Sequence, residues 1–288
     1  MEKTNSKYKR TLIASVCIFG TVGIFRRYIP LSSGMTAFVR GILGAAFLLL
    51  TGIVRKQKLN FADIYRNFLP LLISGAAIGF NWILLFEAYN YTTVAIATLC
   101  YYLAPILVIL AAPMVLKTKL TGKKAICAAV ALVGMVFVSG VTQSGFSGAA
   151  EWKGILYGIG AAVLYACVIL TNQKIRSISP EDRTVVQLAV AALSLLPYLL
   201  VTEGLSIPVL SPLPLVLLVV TGIVHTGFAY KLYFGSMEKL EAHTIALYSY
   251  IDPILAIFLS AVLLKEPLTL STMVGAVLIL GAAYCSEK

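Results

Sequence analysis

The sequence predicts an all-α membrane protein of ten transmembrane helices, arranged as two inverted five-helix repeats. Three observations carry that prediction. Only 12% of the 288 residues are charged and 59% are hydrophobic, with a mean hydropathy of +0.92. A soluble domain carries about a quarter charged residues, so half the charge that a water-facing surface needs is missing. Apolar runs of about 18 to 22 residues, the span of a bilayer core, recur along the whole chain. One apolar segment is also written twice, as TLCYYLAPILVIL at 98–110 and as ALYSYIDPILAIF at 246–258.

The runs fall at 11–29, 33–54, 67–88, 94–116, 124–141, 152–172, 183–202, 213–234, 243–264 and 270–285. The first follows the basic stretch KYKR, as a secretory signal does, but continues into Arg26-Arg27-Tyr28 without a small-residue cleavage site, and so reads as an uncleaved helix. The longest connectors, near 55–66, 142–151 and 203–212, are about a dozen residues each and leave no room for a soluble domain. The net charge of +11 is explained by its placement. With the N-terminus inside, eighteen of the 23 Lys and Arg residues fall in cytoplasmic segments, and four (Arg26, Arg27, Lys153, Lys265) fall outside. Arg40 lies within the second helix. The positive-inside rule then puts both termini in the cytoplasm of a multi-pass cell-membrane protein. The five cysteines lie in or beside apolar runs with no CxxC pair, and read as small hydrophobes at helix contacts.

The doubled segment matches at six of thirteen positions, with Pro105 in register with Pro253. The match extends at a constant offset of 148: Gly79-Phe80 meets Gly227-Phe228, Phe86 meets Phe234, Leu116-Lys117 meets Leu264-Lys265, and Leu132 meets Leu280. Residues 1–145 and 146–288 are therefore two repeats of five helices. Because five is odd, the second repeat enters the membrane inverted. LKTKLT (116–121) then lies inside and LKEPLT (264–269) outside.

With the two Pro-Ile-Leu helices (Pro105–Leu107 and Pro253–Leu255), each followed by an LKxxLT segment, the chain resembles the EamA-like branch of the drug/metabolite transporter superfamily. The likeness covers essentially the whole chain. It departs at Thr118, where the pattern of the second copy has Glu266, so Glu266 is not half of a symmetric pair. The resemblance implies a carrier for small metabolites or amino acids, often an exporter.

Several polar residues fall at membrane depth. Proline has no amide hydrogen, so Pro105 frees the carbonyl of Tyr101 and Pro253 that of Ser249. Each is either a kink that shapes packing or a source of oxygens that line a cavity. Asp252 lies about 14 Å into its helix at the α-helical rise, near the midplane, with Tyr248 and Ser249 on its face. An ionised aspartate there costs roughly 2.5–3.5 kcal/mol; it is either satisfied by Tyr or Arg hydrogen bonds, or it exchanges a proton or neutralises an amine. His225 is a proton relay or a packed histidine beside Thr221 or Thr226. Asn81 reads as a helix–helix hydrogen bond before a ligand contact. Arg40 pairs with a carboxylate or a carbonyl, and a basic residue early in helix two is common in the resembling family. Tyr101, Tyr102, Tyr248 and Tyr250 pack around an organic cation or simply fill the core, whereas Tyr89, Tyr91, Tyr230 and Tyr233 read as belts near helix ends. Gly75/Gly79 and Gly154/Gly158 are GxxxG pairs, expected at close helix contacts.

These features favour a secondary active transporter working by alternating access on small metabolites, amino acids or organic amines. A channel and a non-transporting scaffold or sensor are the alternatives. An intramembrane enzyme would need a zinc pair or a nucleophile with its base, but the two histidines, His225 and His243, have no acidic partner at metal spacing. No Walker-type loop is present to bind ATP. The expected partners are a small-molecule substrate, protons, the lipid bilayer and, in a homodimer, a second copy of the chain; no nucleic acid, metal or cofactor is expected.

Overall fold

The computed structural model describes residues 2–57, 59–116, 121–138, 149–204, 209–237, 240, 248–249 and 251–287. Among them the regular structure is entirely helical. In chain order the helices are α1 (Glu2–Arg27), α2 (Ser33–Val54), α3 (Phe61–Arg66), α4 (Phe68–Tyr91), α5 (Val94–Tyr101), α6 (Ala104–Leu116) and α7 (Gly122–Val138). There follow α8 (Ala149–Asn172), α9 (Pro180–Thr202), α10 (Pro212–Val220), a π-helical segment (Thr221–Phe228), α11 (Ala229–Met237), α12 (Ile251–Leu263) and α13 (Leu270–Glu287).

Among the described residues seven stretches are long and apolar enough to cross a bilayer: Ser6–Arg27, Ser33–Val54, Phe68–Tyr91, Val94–Val115, Glu151–Asn172, Pro180–Thr202 and Pro212–Tyr233. Ile251–Leu263 and Leu270–Cys285 are shorter apolar helices. The expected run at 243–264 falls partly outside the described residues, as do His243, Tyr250 and most of LKTKLT. Side chains such as Val54 (82% exposed), Met114 (87%) and Val277 (72%) point outward from these helices. In water that surface would be a liability, and in lipid it is the solvent contact.

Three elements differ from the sequence expectation. The 94–116 run is broken: α5 stops at Tyr101, Tyr102 and Leu103 form a turn, and α6 starts at Ala104. Pro105 is the cause, since its nitrogen cannot donate and its ring crowds the preceding turn. The 213–234 run contains the π-helical segment, where hydrogen bonds skip to the fifth residue. The connector at 55–66 holds a short helix, capped by Asn60, whose side chain accepts from the amide of Asp63.

The interior is assembled by small-residue contacts. α4 packs on α8 and α9, α2 on α9 and on the π segment, α1 on α11 and α12, and α7 on α13. A Cβ on Gly75 would sit 2.6 Å from Val190, and one on Gly79 would sit 2.7 Å from the Ala191 carbonyl of α9. Gly154 meets Thr92 and Gly158 meets Cys100 in the same way. Both GxxxG pairs are close contacts as expected, and their absent side chains let backbones approach where lipid supplies no hydrophobic drive.

Candidate functional site

Asp252 sits at the start of α12, where helices α1 and α5 meet it. The Tyr102 hydroxyl donates to Asp252 Oδ2 at 2.9 Å and lies 3.2 Å from the Ser249 carbonyl oxygen. Both halves of the doubled segment therefore contribute. Pro253 leaves the Ser249 carbonyl without a helical donor, and the turn imposed by Pro105 places Tyr102 where its phenol meets it. From α1, Gly20 comes so close that a Cβ there would lie 2.9 Å from the backbone oxygen of Asp252. Any larger residue would push α1 away from α12.

The deep tyrosines divide between the site and the core. Tyr101 stacks on Tyr165 of α8 with centroids 5.2 Å apart and meets Tyr102 edge-on at 6.2 Å. Tyr248 packs in an apolar cluster with Leu12, Val16 and Leu240. Its expected place at the carboxylate is taken by Tyr102, which comes from the other half of the chain. Tyr89, expected in an interfacial belt, is 3% exposed and packs in the main core. Tyr91, by contrast, accepts a hydrogen bond from exposed Lys153 at 2.9 Å, as a belt residue should.

A second polar group lies around α2 and the π segment. His225 Nε2 and Thr21 Oγ1 share a hydrogen bond of 2.8 Å, and Phe25 meets the imidazole edge-on at 4.6 Å. Arg40 is 4% exposed; its Nε donates to Thr226 Oγ1 at 2.9 Å and its guanidinium lies over Trp82 (4.3 Å) and Phe86 (5.3 Å). The carboxylate or carbonyl partner expected for Arg40 is thus a hydroxyl and two aromatic faces. Thr226 is fixed in turn by donating to the Thr221 carbonyl at 2.9 Å, five residues back. Asn81 Nδ2 donates to the Ala161 carbonyl of α8 at 2.5 Å, and is the helix-to-helix bond the sequence suggested.

At the segment taken as outer by sequence, Glu266 gathers three helices, α1, α5 and α12. Its carboxylate pairs with Arg27 at 2.8 Å, accepts from the Val94 amide at 2.8 Å and accepts from Ser260. Arg27 also donates to the Thr92 carbonyl at 2.8 Å. The geometry follows from LKEP: Lys265 adopts a left-handed φ of 55°, which folds the chain back so that the Glu266 amide reaches the Ser260 carbonyl. Glu266 then caps the first turn of α5 (a positive helix end) from outside that helix.

Sequence reasoning missed Thr21, Gly20, Tyr165 and Trp82, none of which carries a formal charge, and it named Thr226 only as a neighbour of His225. It also placed Arg26 among exposed orienting charges, whereas Arg26 is 6% exposed and donates to the Ile29 carbonyl (2.9 Å) and Ser33 Oγ (3.1 Å).

A bundle of lipid-length apolar helices is a multi-pass membrane protein. The chain belongs to the EamA-like transporter family, whose model matches residues 11–140 and again 152–286. An "Uncharacterized transporter YxxF" of Bacillus subtilis is 30% identical over 266 residues, covering 90% of this chain and 83% of that protein. An "Uncharacterized transporter" of Archaeoglobus fulgidus is 23% identical over 282 residues, covering 96% and 95%. A crystal structure aligned over 97% of both chains, with a TM-score of 0.68 and 20% identity, shares the fold.

Proposed function

We propose that this transporter is a secondary active carrier, an exporter or permease for small metabolites, amino acids or organic amines. It works by alternating access in the cell membrane, with both termini cytoplasmic and with protons as the coupling ion. One observation carries the reading: Asp252, next to Pro253 in the second half, is held by Tyr102 from the turn between α5 and α6 of the first. A carboxyl group whose hydrogen-bond donor belongs to the other half changes its surroundings whenever the halves move relative to each other.

The pattern of helix contacts supports two equivalent halves. Exchanging the halves maps α4 on α8 onto α1 on α11 with the π segment, and α4 on α9 onto α2 on the π segment. It maps α8 on α5 and α6 onto α1 on α12, while α7–α13, α2–α9 and α5–α12 map onto themselves. Such pseudo-symmetric halves can exchange conformations around a shared midplane.

Counterflow is the direct test. Proteoliposomes preloaded with an unlabelled candidate substrate should accumulate the labelled form transiently above equilibrium, because a carrier reorients faster with its site filled. Ion current without counterflow would make the protein a channel, and binding without flux a sensor. Topology is checked separately by single cysteines at Lys265 and at Lys119, which lies outside the described residues. They should label from opposite faces of the membrane; labelling from one face would overturn the inverted repeat.

A further inference from the structure

Arg40 is a buried cation whose strongest hydrogen-bonding edge is unused. A guanidinium carries five N–H donors. Here Nε donates to Thr226, and among the described residues neither Nη nitrogen has a hydrogen-bond partner and no carboxylate lies within 4.0 Å. The side chain is nonetheless 4% exposed. Trp82 and Phe86 lie 4.3 and 5.3 Å from it, and such face contacts offset the loss of water by about 2 kcal/mol. These ring contacts use no N–H donor and leave the Nη edge, which matches the two oxygens of a carboxylate.

The neighbouring arginine makes the contrast. Arg26, also over Phe86, gives both Nη nitrogens to protein oxygens, Ile29 O and Ser33 Oγ. Asp252 does not serve Arg40 either, being engaged by Tyr102. Among the described residues no ion pair joins Arg40 to Asp252.

We infer that Arg40 is the anion-accepting end of the transport site, and that the transported molecule carries a carboxylate which the two Nη groups grip. The inference rests on the carrier reading for its role in transport, but the binding event can be measured without flux. Trp82 reports on it, because its ring centroid lies 4.3 Å from the guanidinium carbon; replacing Trp152, the other of the two tryptophans, by Phe isolates its emission.

Purified protein would be titrated with propionate, alanine and ethylamine, which share a skeleton and differ in charged groups, with inorganic phosphate as a fourth arm and sodium chloride as the ionic-strength control. Propionate and alanine should change Trp82 emission saturably in the millimolar range, and ethylamine should not. A larger response to phosphate than to propionate would overturn the assignment to a carboxylate. Arg40→Gln should abolish the response, and Arg40→Lys, which keeps the charge without the fork, should weaken it about tenfold. If the Gln variant does not fold, the Lys variant carries the test. No saturable carboxylate response up to about 100 mM, weaker than any useful site, or an unchanged response in Arg40→Lys, would overturn the inference. Counterflow failing while this titration succeeds would instead reject the carrier reading and leave the anion site standing.

Discussion

Asp252→Asn is expected to give a folded protein whose flux no longer responds to a pH gradient. Asparagine has the size of aspartate and keeps an oxygen to accept from Tyr102, so the 2.9 Å contact survives. What it loses is the ability to take up and release a proton. The fold does not need the charge, because the matching position in the first repeat is Ala104, which packs in the apolar core. Two carboxylates facing each other there would repel strongly in a medium with little water. The expected result in proteoliposomes is a loss of gradient-driven flux of at least about tenfold, which corresponds to 1.4 kcal/mol in the coupled step. Asp252→Glu should keep part of the activity with a displaced pH optimum, since one added methylene moves the carboxyl group away from Tyr102. Wild-type flux and pH profile in the Asn variant would make the carboxylate structural and move coupling elsewhere.

Glu266→Ala is expected to be the most destabilising change in the 264–269 segment. Arg27 is 31% exposed, so its ion pair with Glu266 contributes only about 0.5 kcal/mol. The greater loss is the acceptor for the Val94 amide, since an unsatisfied donor at a helix start costs about 1–3 kcal/mol. Together these predict a loss of roughly 2–3 kcal/mol and a midpoint several degrees lower in thermal unfolding of detergent-solubilised protein. Glu266→Gln keeps an acceptor for Val94 and should lose less than half as much. A double-mutant cycle with Arg27→Gln separates the ion pair from the cap. An alanine variant melting within about a degree of wild type would mean that the α5 amide finds water or another acceptor.

Much of the fold could be read in the sequence because lipid imposes length and apolarity directly. The runs at 33–54 and 152–172 end within a few residues of α2 and α8. The break before Pro105 was half legible: the freed carbonyl was anticipated, the interrupted helix was not, because the proline rule fixes a missing bond without fixing how far the turn opens. Asn81 read correctly, since a polar side chain facing a neighbouring backbone needs only depth. The Tyr102–Asp252 contact could not be read, because the two residues are 150 apart and no local pattern records which helices meet. The π segment was equally hidden. TGIVHTGF has ordinary α-helical spacing, and the wider turn depends on α2 pressing against it, where a Cβ on Gly222 would lie 2.5 Å from Leu43.

That wider turn also acts as a store of rotation. In an α-helix each residue advances the chain by 1.5 Å and turns it by about 100°. A stretch bonded to the fifth residue holds slack that an α-helix would let out, so tightening it by one residue swivels everything beyond it by about a quarter of a revolution. Beyond Phe228 lie Tyr230, Lys231 and Tyr233, and at present Lys231 reaches back to the Thr51 hydroxyl of α2 at 3.3 Å. Within the segment, His225 is tied to Thr21 of α1 and Thr226 to Arg40 of α2. The segment is therefore held from two sides, by α1 and by α2. A ligand drawing Arg40 away from Thr226 would loosen one clamp and let the lower part of that helix turn beneath a fixed upper part, with no hinge in any loop.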